Sequence, residues 1–483
     1  MSVRKSLLIS FGEKYTVLLI SIASTMILAR LLSPAEIGIF SVSVAVVGIA
    51  QMVRDFGVTQ YLIVERDLTR DRIRAAFGIT IVISWSLAAV LYFGRDTLAD
   101  FYSEPKLHTA LSVLCFNFIL IPFGNPVLSL LRRDMAFGTL FRINTLTAII
   151  RESTAVGLAF GGFGFMSLVW GSFAGVAATA ALATLARPSQ AWVMPGFREW
   201  RRVLKFGLPA SATAFVSEIG ASTADLALGR IQGFAEVGLY SRAMGLVNLF
   251  HQNIMSAVRW VSLPAFAADE RDGKALEENY LKSVGYVTAV AWPFYGFLCL
   301  MAFPIIRILF GDQWDESVPL VRILAIAGMI GATWNLAGQV LLVIGLVRKV
   351  FWAEVIIQSA RVLLIIAAAF HSLELVAWAQ VVTYSVGFSI YQFYLGRNFN
   401  ITLVDVFRAV WKSLLAAIFS VVGPALVVLA WGLTPDNLFL SLFAASLAAA
   451  VGWLAGLFIV NHPMRIEIQS LIMRKTKSSQ GVD

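Results

Sequence analysis

Arg151 and Arg361 each stand deep inside a run of apolar residues. A charged side chain in hydrocarbon is costly, so each is a candidate functional group. A guanidinium offers its donors in a planar fork and grips a phosphate or diphosphate through charge-assisted hydrogen bonds. The structural alternative is pairing inside the membrane, Arg151 with a carboxylate on a facing helix and Arg361 with Glu354. Lys14 is a third candidate cation, unless it snorkels to a nearby interface. Arg242 and Arg322 lie nearer the ends of their runs and read either as further contacts to an anion or as interfacial anchors. Arg259 and the Arg54-Asp55 pair read as interfacial. Trp334-Asn335 and His251-Gln252-Asn253 offer aromatic and amide surfaces that suit a sugar or, more plainly, pack helices. Among the acids, Glu218 and Glu152 are mid-run and Asp225 is nearer an end. Each could titrate, hold a coupling cation or balance an arginine.

The elements that position these residues follow from composition. Hydrophobic residues make up 58% of the 483 and charged residues 14%, with a mean hydropathy of +0.78. Soluble domains average roughly 45–50% apolar and about 25% charged. The excess comes in blocks of roughly 17–25 residues, the length that crosses a bilayer as a helix. The expected spans are 7–29, 37–58, 75–93, 108–131, 143–160, 164–185, 205–228, 237–262, 284–303, 317–343, 350–370, 374–396, 409–431 and 438–460. The fold class is therefore an all-α polytopic membrane protein of about fourteen transmembrane helices. The net charge of +9 sits in short loops with no soluble basic domain, which argues against nucleic acid. Cys115 and Cys299 lie inside apolar blocks and read as small hydrophobes, and the four histidines show no metal-ligand spacing. The first apolar stretch is too long for a signal peptide and carries Glu13 and Lys14.

Lys and Arg divide unevenly between alternate loops, 29 on one side against 5 on the other (Arg30, Arg95, Lys106, Arg230 and Arg307). Positive charge marks the cytoplasmic side. Both termini are expected there, in a bacterial cytoplasmic membrane, with an even number of spans.

An internal repeat organises the chain. Arg30-Leu-Leu-Ser-Pro-Ala-Glu36-Ile-Gly38-Ile-Phe40-Ser41 returns as Arg230-Ile-Gln-Gly-Phe-Ala-Glu236-Val-Gly238-Leu-Tyr240-Ser241 at a constant offset of 200. Phe141 to Phe160 aligns without gaps on Phe351 to Phe370, which sets Arg151 opposite Arg361. Each copy holds six spans, so the copies share one orientation. Parallel repeats of this kind place a pathway at their interface and alternate access by rocking. The expected division is a six-helix lobe over 1–187, a cytoplasmic connector over 188–204, a second six-helix lobe over 205–397, an appended two-helix hairpin over 398–461, and a basic tail over 462–483. In the connector, Phe197, Trp200, Val203 and Leu204 interleave with basic residues. That pattern suits either an amphipathic helix on an anionic leaflet or an ordinary basic connector.

The segment Ala29-Arg30-Leu31-Leu32-Ser33-Pro34-Ala35-Glu36-Ile37-Gly38-Ile39-Phe40 resembles a hallmark of the Wzx-type (WzxC-like) polysaccharide transporter family, within the multidrug/oligosaccharidyl-lipid/polysaccharide exporter superfamily. Val261-Ser-Leu-Pro264-Ala-Phe266 and the stretch Leu309-Phe310-Gly311-Asp312-Gln313-Trp314 with Val318-Pro319-Leu320 are similar to two further segments of that family. The resemblance implies two lobes around a central, often cationic cavity. It implies flipping of an undecaprenyl-diphosphate-linked oligosaccharide from the cytoplasmic to the periplasmic leaflet, with no cofactor. The absence of a Walker-type Gly-Lys-Ser/Thr loop agrees. The implied partners are the lipid-linked substrate, the bilayer, and a polysaccharide polymerase with its export machinery. The rivals are a lipid-II-type flippase, a cation-coupled multidrug antiporter of the same fold, and a membrane glycosyltransferase, polymerase or ligase. The last would need a sizeable external loop for its catalytic groups, and the loops on the Arg-poor side are short.

Overall fold

A computed structural model describes residues 3–470, apart from 56, 66, 189–193, 197, 199, 273, 274, 435 and 436. Regular structure among the described residues is entirely helical. Two compact units divide the chain, Met1–Ser241 and Arg242–Asp483. The expected spans fall on helices, with 37–58, 237–262, 284–303 and 317–343 each running over more than one, and eleven stretches among the described residues are long and apolar enough to cross a membrane. Side chains such as Leu429 and Phe93, 81% and 80% exposed, would be a liability in water. In a chain of this composition they face lipid.

The first unit holds α1 (Val3–Leu31), α2 (Pro34–Asp55), the short α3 (Val58–Val64), α4 (Arg70–Tyr102), α5 (Pro105–Arg133), α6 (Phe137–Phe160), α7 (Met166–Ala186) and α8 (Trp200–Ile231). It ends within α9 (Phe234–Phe250). Ser33 starts α2 through a reciprocal cap: its hydroxyl accepts from the Glu36 N–H, while the Glu36 carboxylate takes both the Ser33 N–H and hydroxyl at 2.9 Å. Pro34 supplies the φ of a first helical residue. Gly57, at φ 68°, breaks α2 from α3, and Arg133 caps the far end of α3 by donating to the Leu62 carbonyl at 3.1 Å. Small residues bring backbones together, as membrane helices require. Gly124 of α5 lies on Ala180 of α7, and Gly171 of α7 on Ala155 of α6. α4 packs on α5, α5 on α7, α7 on α6 and α6 on α1. α8, the repeat counterpart of α1, packs along α2 and α4, with Gly229 against Val42 and the Tyr102 hydroxyl donating to the Leu226 carbonyl at 3.3 Å. The first compact unit accordingly runs on through α8 to Ser241. Phe197 and the side chains of 201–211 lie outside the described residues, as does the tail beyond 470, so the amphipathic connector stays an expectation.

The second unit continues α9 through a π-helical turn, His251–Met255, into α10 (Ser256–Arg271). There follow α11 (Leu276–Leu300), the short α12 (Ala302–Leu309), α13 (Ser317–Trp334), α14 (Ala337–Val343), α15 (Val347–Ala369), α16 (Leu373–Phe399), α17 (Leu403–Trp431) and α18 (Leu438–Ile459). α11 packs on α13, α13 on α16 and α16 on α15, repeating the order α4, α5, α7, α6 of the first unit. The repeat read from the loops is thus a repeat of packing. After α12 the chain turns on Gly311 (φ 101°), and Arg307 clasps Asp315 through two bonds of 2.7 and 2.6 Å. The hairpin of α17 and α18 closes on small residues, with Gly452 over the Phe419 carbonyl and Gly456 on Ala416. It docks on α11 through Trp453, whose indole N–H donates to the Ala289 carbonyl at 2.8 Å, and through Ser413, which donates to the Gly285 carbonyl at 2.9 Å.

Candidate functional site

In the first unit the charged groups tie α1 to α6. Arg151 turns back on its own neighbour: Nε and Nη2 donate to Glu152 Oε1 at 2.9 and 2.6 Å. The other Glu152 oxygen accepts from Ser24 of α1 at 2.6 Å, and Arg151 Nη2 also reaches the Ser21 hydroxyl at 3.4 Å. Asn144 donates to Glu13 at 2.5 Å lower on the same seam. Arg151 is therefore paired, but with an adjacent residue rather than with the facing helix that sequence pointed to. Lys14 sits partly buried on α1 beside this seam.

The acids of α8 are placed differently. Glu218, Ser222 and Asp225 share one face, at i, i+4 and i+7. Glu218 accepts from Ser222 at 3.3 Å and lies over Gly48 of α2, where a Cβ would come within 2.8 Å of its oxygen. Among the described residues neither Glu218 nor Asp225 has a cationic partner, and Asp225 makes no side-chain hydrogen bond.

The paired loops of the repeat also meet in this unit. A Cβ on Gly38 would stand 1.7 Å from the Phe234 carbonyl, and one on Gly238 2.0 Å from the Pro34 carbonyl. Ser41 and Ser241 share a hydrogen bond of 3.0 Å. Only glycine permits such a crossing.

In the second unit, Arg361 of α15 faces the Tyr384 ring of α16, with its guanidinium carbon 5.7 Å from the ring centre. It has no acidic partner among the described residues. The expected pairing with Glu354 does not form, because the Glu354 carboxylate accepts from the Tyr391 hydroxyl at 3.0 Å and from the Gln358 amide at 3.2 Å. Trp334 stacks on Tyr391 at 5.1 Å and 17° and lies 6.1 Å from Tyr384. Asn335 belongs to a separate polar chain. Arg259 Nη2 donates to His251 Nε2, and the Asn335 amide lies 3.3 Å from His251 Nδ1. A narrow cavity runs beside these groups, lined by Asn248, His251, Tyr295, Asn335, Gln380 and Tyr384.

The remaining sequence candidates stand apart. Arg242 is sandwiched near Phe310 and Trp314, 5.7 and 5.5 Å from their ring centres, and buttresses the turn after α12. Arg322 is exposed on α13, away from the aromatic group. Arg54 is buried against Asp55. Sequence reasoning missed Tyr384 and Tyr391, and it missed Arg259 as part of a half-buried polar chain. No metal-binding group of His, Cys, Asp and Glu occurs among the described residues.

Repeated helical lobes with ionisable groups inside apolar spans define a multi-pass membrane protein of the transporter kind. The chain belongs to the polysaccharide biosynthesis protein family, whose model matches residues 27–319. It is 24% identical over 447 residues to teichuronic acid biosynthesis protein TuaB of Bacillus subtilis (strain 168), covering 89% of each chain. It is 28% identical over 312 residues to succinoglycan biosynthesis transport protein ExoT of Rhizobium meliloti (strain 1021), covering 62% of this chain and 61% of that one. Its fold matches that of the lipid II flippase MurJ in an inward closed conformation, with a TM-score of 0.71, 14% identity, and coverage of 96% of this chain and all of that one.

Proposed function

We propose that this chain is a secondary transporter, not an enzyme, that flips an undecaprenyl-diphosphate-linked oligosaccharide across the cytoplasmic membrane by alternating access. The product would feed exopolysaccharide, capsule or lipopolysaccharide assembly, with a polymerase and export machinery downstream. Both termini and the 186–203 segment are cytoplasmic in this account, and Ser103 is periplasmic. The repeat boundaries at 187 and 205 mark the two lobes that rock.

The observation that carries the reading is the crossing of the two repeat loops at Gly38 and Gly238. Both loops belong to the side poor in Lys and Arg, the expected periplasmic side, and their close crossing within the first unit supports a contact that the transport cycle would have to part. The transport named for ExoT and the fold shared with a lipid flippase support it. Arg361, Trp334 and Lys14 are the groups proposed to meet the cargo, with Arg151 held in its seam by Glu152. A cation-coupled carrier, the second reading, is favoured by Glu218 and Asp225, whose carboxylates lack cationic partners among the described residues. The two combine if these acids carry the coupling proton.

The direct test is reconstitution into proteoliposomes with a fluorescent short-chain prenyl-diphosphate oligosaccharide. Protein-dependent movement to the outer leaflet, read by a membrane-impermeant quencher, is expected. No movement above protein-free vesicles would refute flipping.

A further inference from the structure

Two spans of the second unit are interrupted, and the interruptions meet. α9 gives way to α10 through the π-helical turn His251–Met255, and α13 gives way to α14 at Asn335 and Leu336. The Asn335 amide lies 3.3 Å from His251 Nδ1, and Arg259 of α10 reaches back along its helix, over the turn, to His251 Nε2. Beyond the breaks α10 packs on α14, with the Gln339 amide donating to the Arg259 carbonyl at 3.4 Å. Irregular backbone at membrane depth is tolerated only inside protein or against a cavity, and π turns concentrate at functional places.

The first unit carries a matching arrangement. The offset of 210 that aligns Phe141 on Phe351 also aligns Asn125 on Asn335. It sets Met135 (φ 53°) opposite Gly345 (φ 79°), so the left-handed residue that closes the fourth span recurs with it. Asn125 stands between Pro122 and Pro126 inside α5, where proline removes helical hydrogen bonds, and α2 breaks from α3 at Gly57. A small cavity lies at each pair of breaks, lined in the first unit by Asp55, Asn125 and Pro126 and in the second by His251, Met255 and Asn335. α3 packs on α5 as α10 packs on α14. The residues at the second-span breaks are unlike, Arg54-Asp55 against Ile254-Met255, so what recurs is the break rather than a set of ligand-binding groups.

The two sides of the breaks in the second unit are held differently. On the side of α9 and α13, the Phe250 ring lies 5.3 Å from those of Phe294 and Tyr295 on α11, and the Trp292 indole donates to the Met329 carbonyl at 2.9 Å. Gly328 and Gly331 of α13 seat the rings of Tyr295 and Tyr384 on bare backbone. On the other side, α14 is a helix of 7 residues with a joint at either end, and a Cβ on Gly345 would meet nothing within 4 Å. Val261 and Leu263 of α10 are both exposed. We infer that the π turn and the Asn335 break form one hinge, about which α10 and α14 swing together against α9 and α13, with Arg259, His251 and Asn335 as its clasp. The inference rests on the transport reading for its use, which is to open the cytoplasmic half of the unit, but the motion itself needs no cargo.

The test measures distances between spin labels by electron paramagnetic resonance, in the full chain with Cys115 and Cys299 replaced by Ala, in phosphatidylcholine nanodiscs. One label pair, Glu270→Cys/Ile326→Cys, spans the hinge, and the other, Glu270→Cys/Leu342→Cys, lies within the moving half. All three positions are exposed. Glu270 lies about four turns beyond Met255, so a change of roughly 20° at the hinge moves it by about 8 Å. The spanning pair should show two distances that differ by about that amount, and the inner pair one. Arg259→Gln/Asn335→Ala removes the clasp and should shift the ratio of the two distances about threefold or more. If that variant does not accumulate, Asn335→Ala alone decides, with a shift of about twofold. A single distance for the spanning pair, a ratio that the clasp variants leave unchanged, or two distances for the inner pair overturns the hinge. Normal flipping with one of those results overturns the hinge alone. Two distances in the spanning pair without flipping by the wild type overturn the transport reading alone.

Discussion

Gly38 and Gly238, 200 residues apart, occupy each other's missing side-chain space: the Cα of each lies against the backbone of the other's loop. A methyl group on either would have to push two helix starts apart. Overpacking of this kind costs about 1–3 kcal/mol, enough to cut the population of the crossed state by roughly 5–150-fold. Gly38→Ala or Gly238→Ala should therefore reduce polysaccharide export at normal membrane abundance. Export at the wild-type level in the double variant would show that the crossing is incidental.

The Arg151–Glu152 pair should behave as structure rather than as binding machinery. Glu152→Ala leaves the guanidinium without its acceptor and releases Ser24 of α1. The Arg151 side chain is 43% exposed, so the cost is well below that of a fully buried pair, about 1–2 kcal/mol. Membrane abundance, read by fluorescence-detected gel filtration, should fall in Glu152→Ala and recover in part in Arg151→Ala/Glu152→Ala. An additive loss in the double variant would mean that the two residues act independently.

His462 fastens the terminal hairpin. Its Nδ1 accepts from the Met464 N–H at 3.1 Å, leaving Nε2 to donate to Ser413 at 3.2 Å. Burial, and then the Lys412 charge, push the imidazole down to about 4 from its usual 6.5. Between those values the unfolded chain binds the proton and the folded chain does not. Stability from this group is thus present above pH 6.5 and lost as the pH falls toward 4, by up to about 1.4 kcal/mol per unit. Melting of purified protein from pH 7.5 to 4.5 should show a steeper decline for the wild type than for His462→Gln. Parallel profiles would remove His462 from the account.

Glu218 and Asp225 are the proposed proton carriers. Glu218→Gln with Asp225→Asn should leave the protein folded, because neither carboxylate holds a cation among the described residues. Flipping driven by an imposed pH gradient should drop to the rate seen without one. A gradient-driven rate equal to wild type would assign the driving force elsewhere.

Sequence exposed the spans, the repeat and the two arginines because each leaves a periodic or compositional trace. What it hid is local. Neighbours on a helix do not face each other, so the Arg151–Glu152 contact is not suggested by spacing and depends on a long side chain folding back. Arg259 reaches His251 along a helix whose register a π turn has shifted, and nothing in His251-Gln-Asn-Ile-Met255 announces that turn. Tyr384 lay inside an apolar run as one aromatic among many. Its importance comes from Gly331 on another helix, a tertiary relation. The break at Ser241 has the same origin, since α8 packs on α2 and α4.

Alternating access is tested most directly by a Ser41→Cys/Ser241→Cys variant in a chain whose Cys115 and Cys299 are replaced by Ala. The two hydroxyls are 3.0 Å apart, so the thiols should form a disulfide on oxidation. Flipping in proteoliposomes should stop when the bond forms and return fully on reduction, with each single Cys variant unaffected by either treatment. Undiminished flipping by the fully crosslinked protein would contradict a carrier that must part these loops in every cycle.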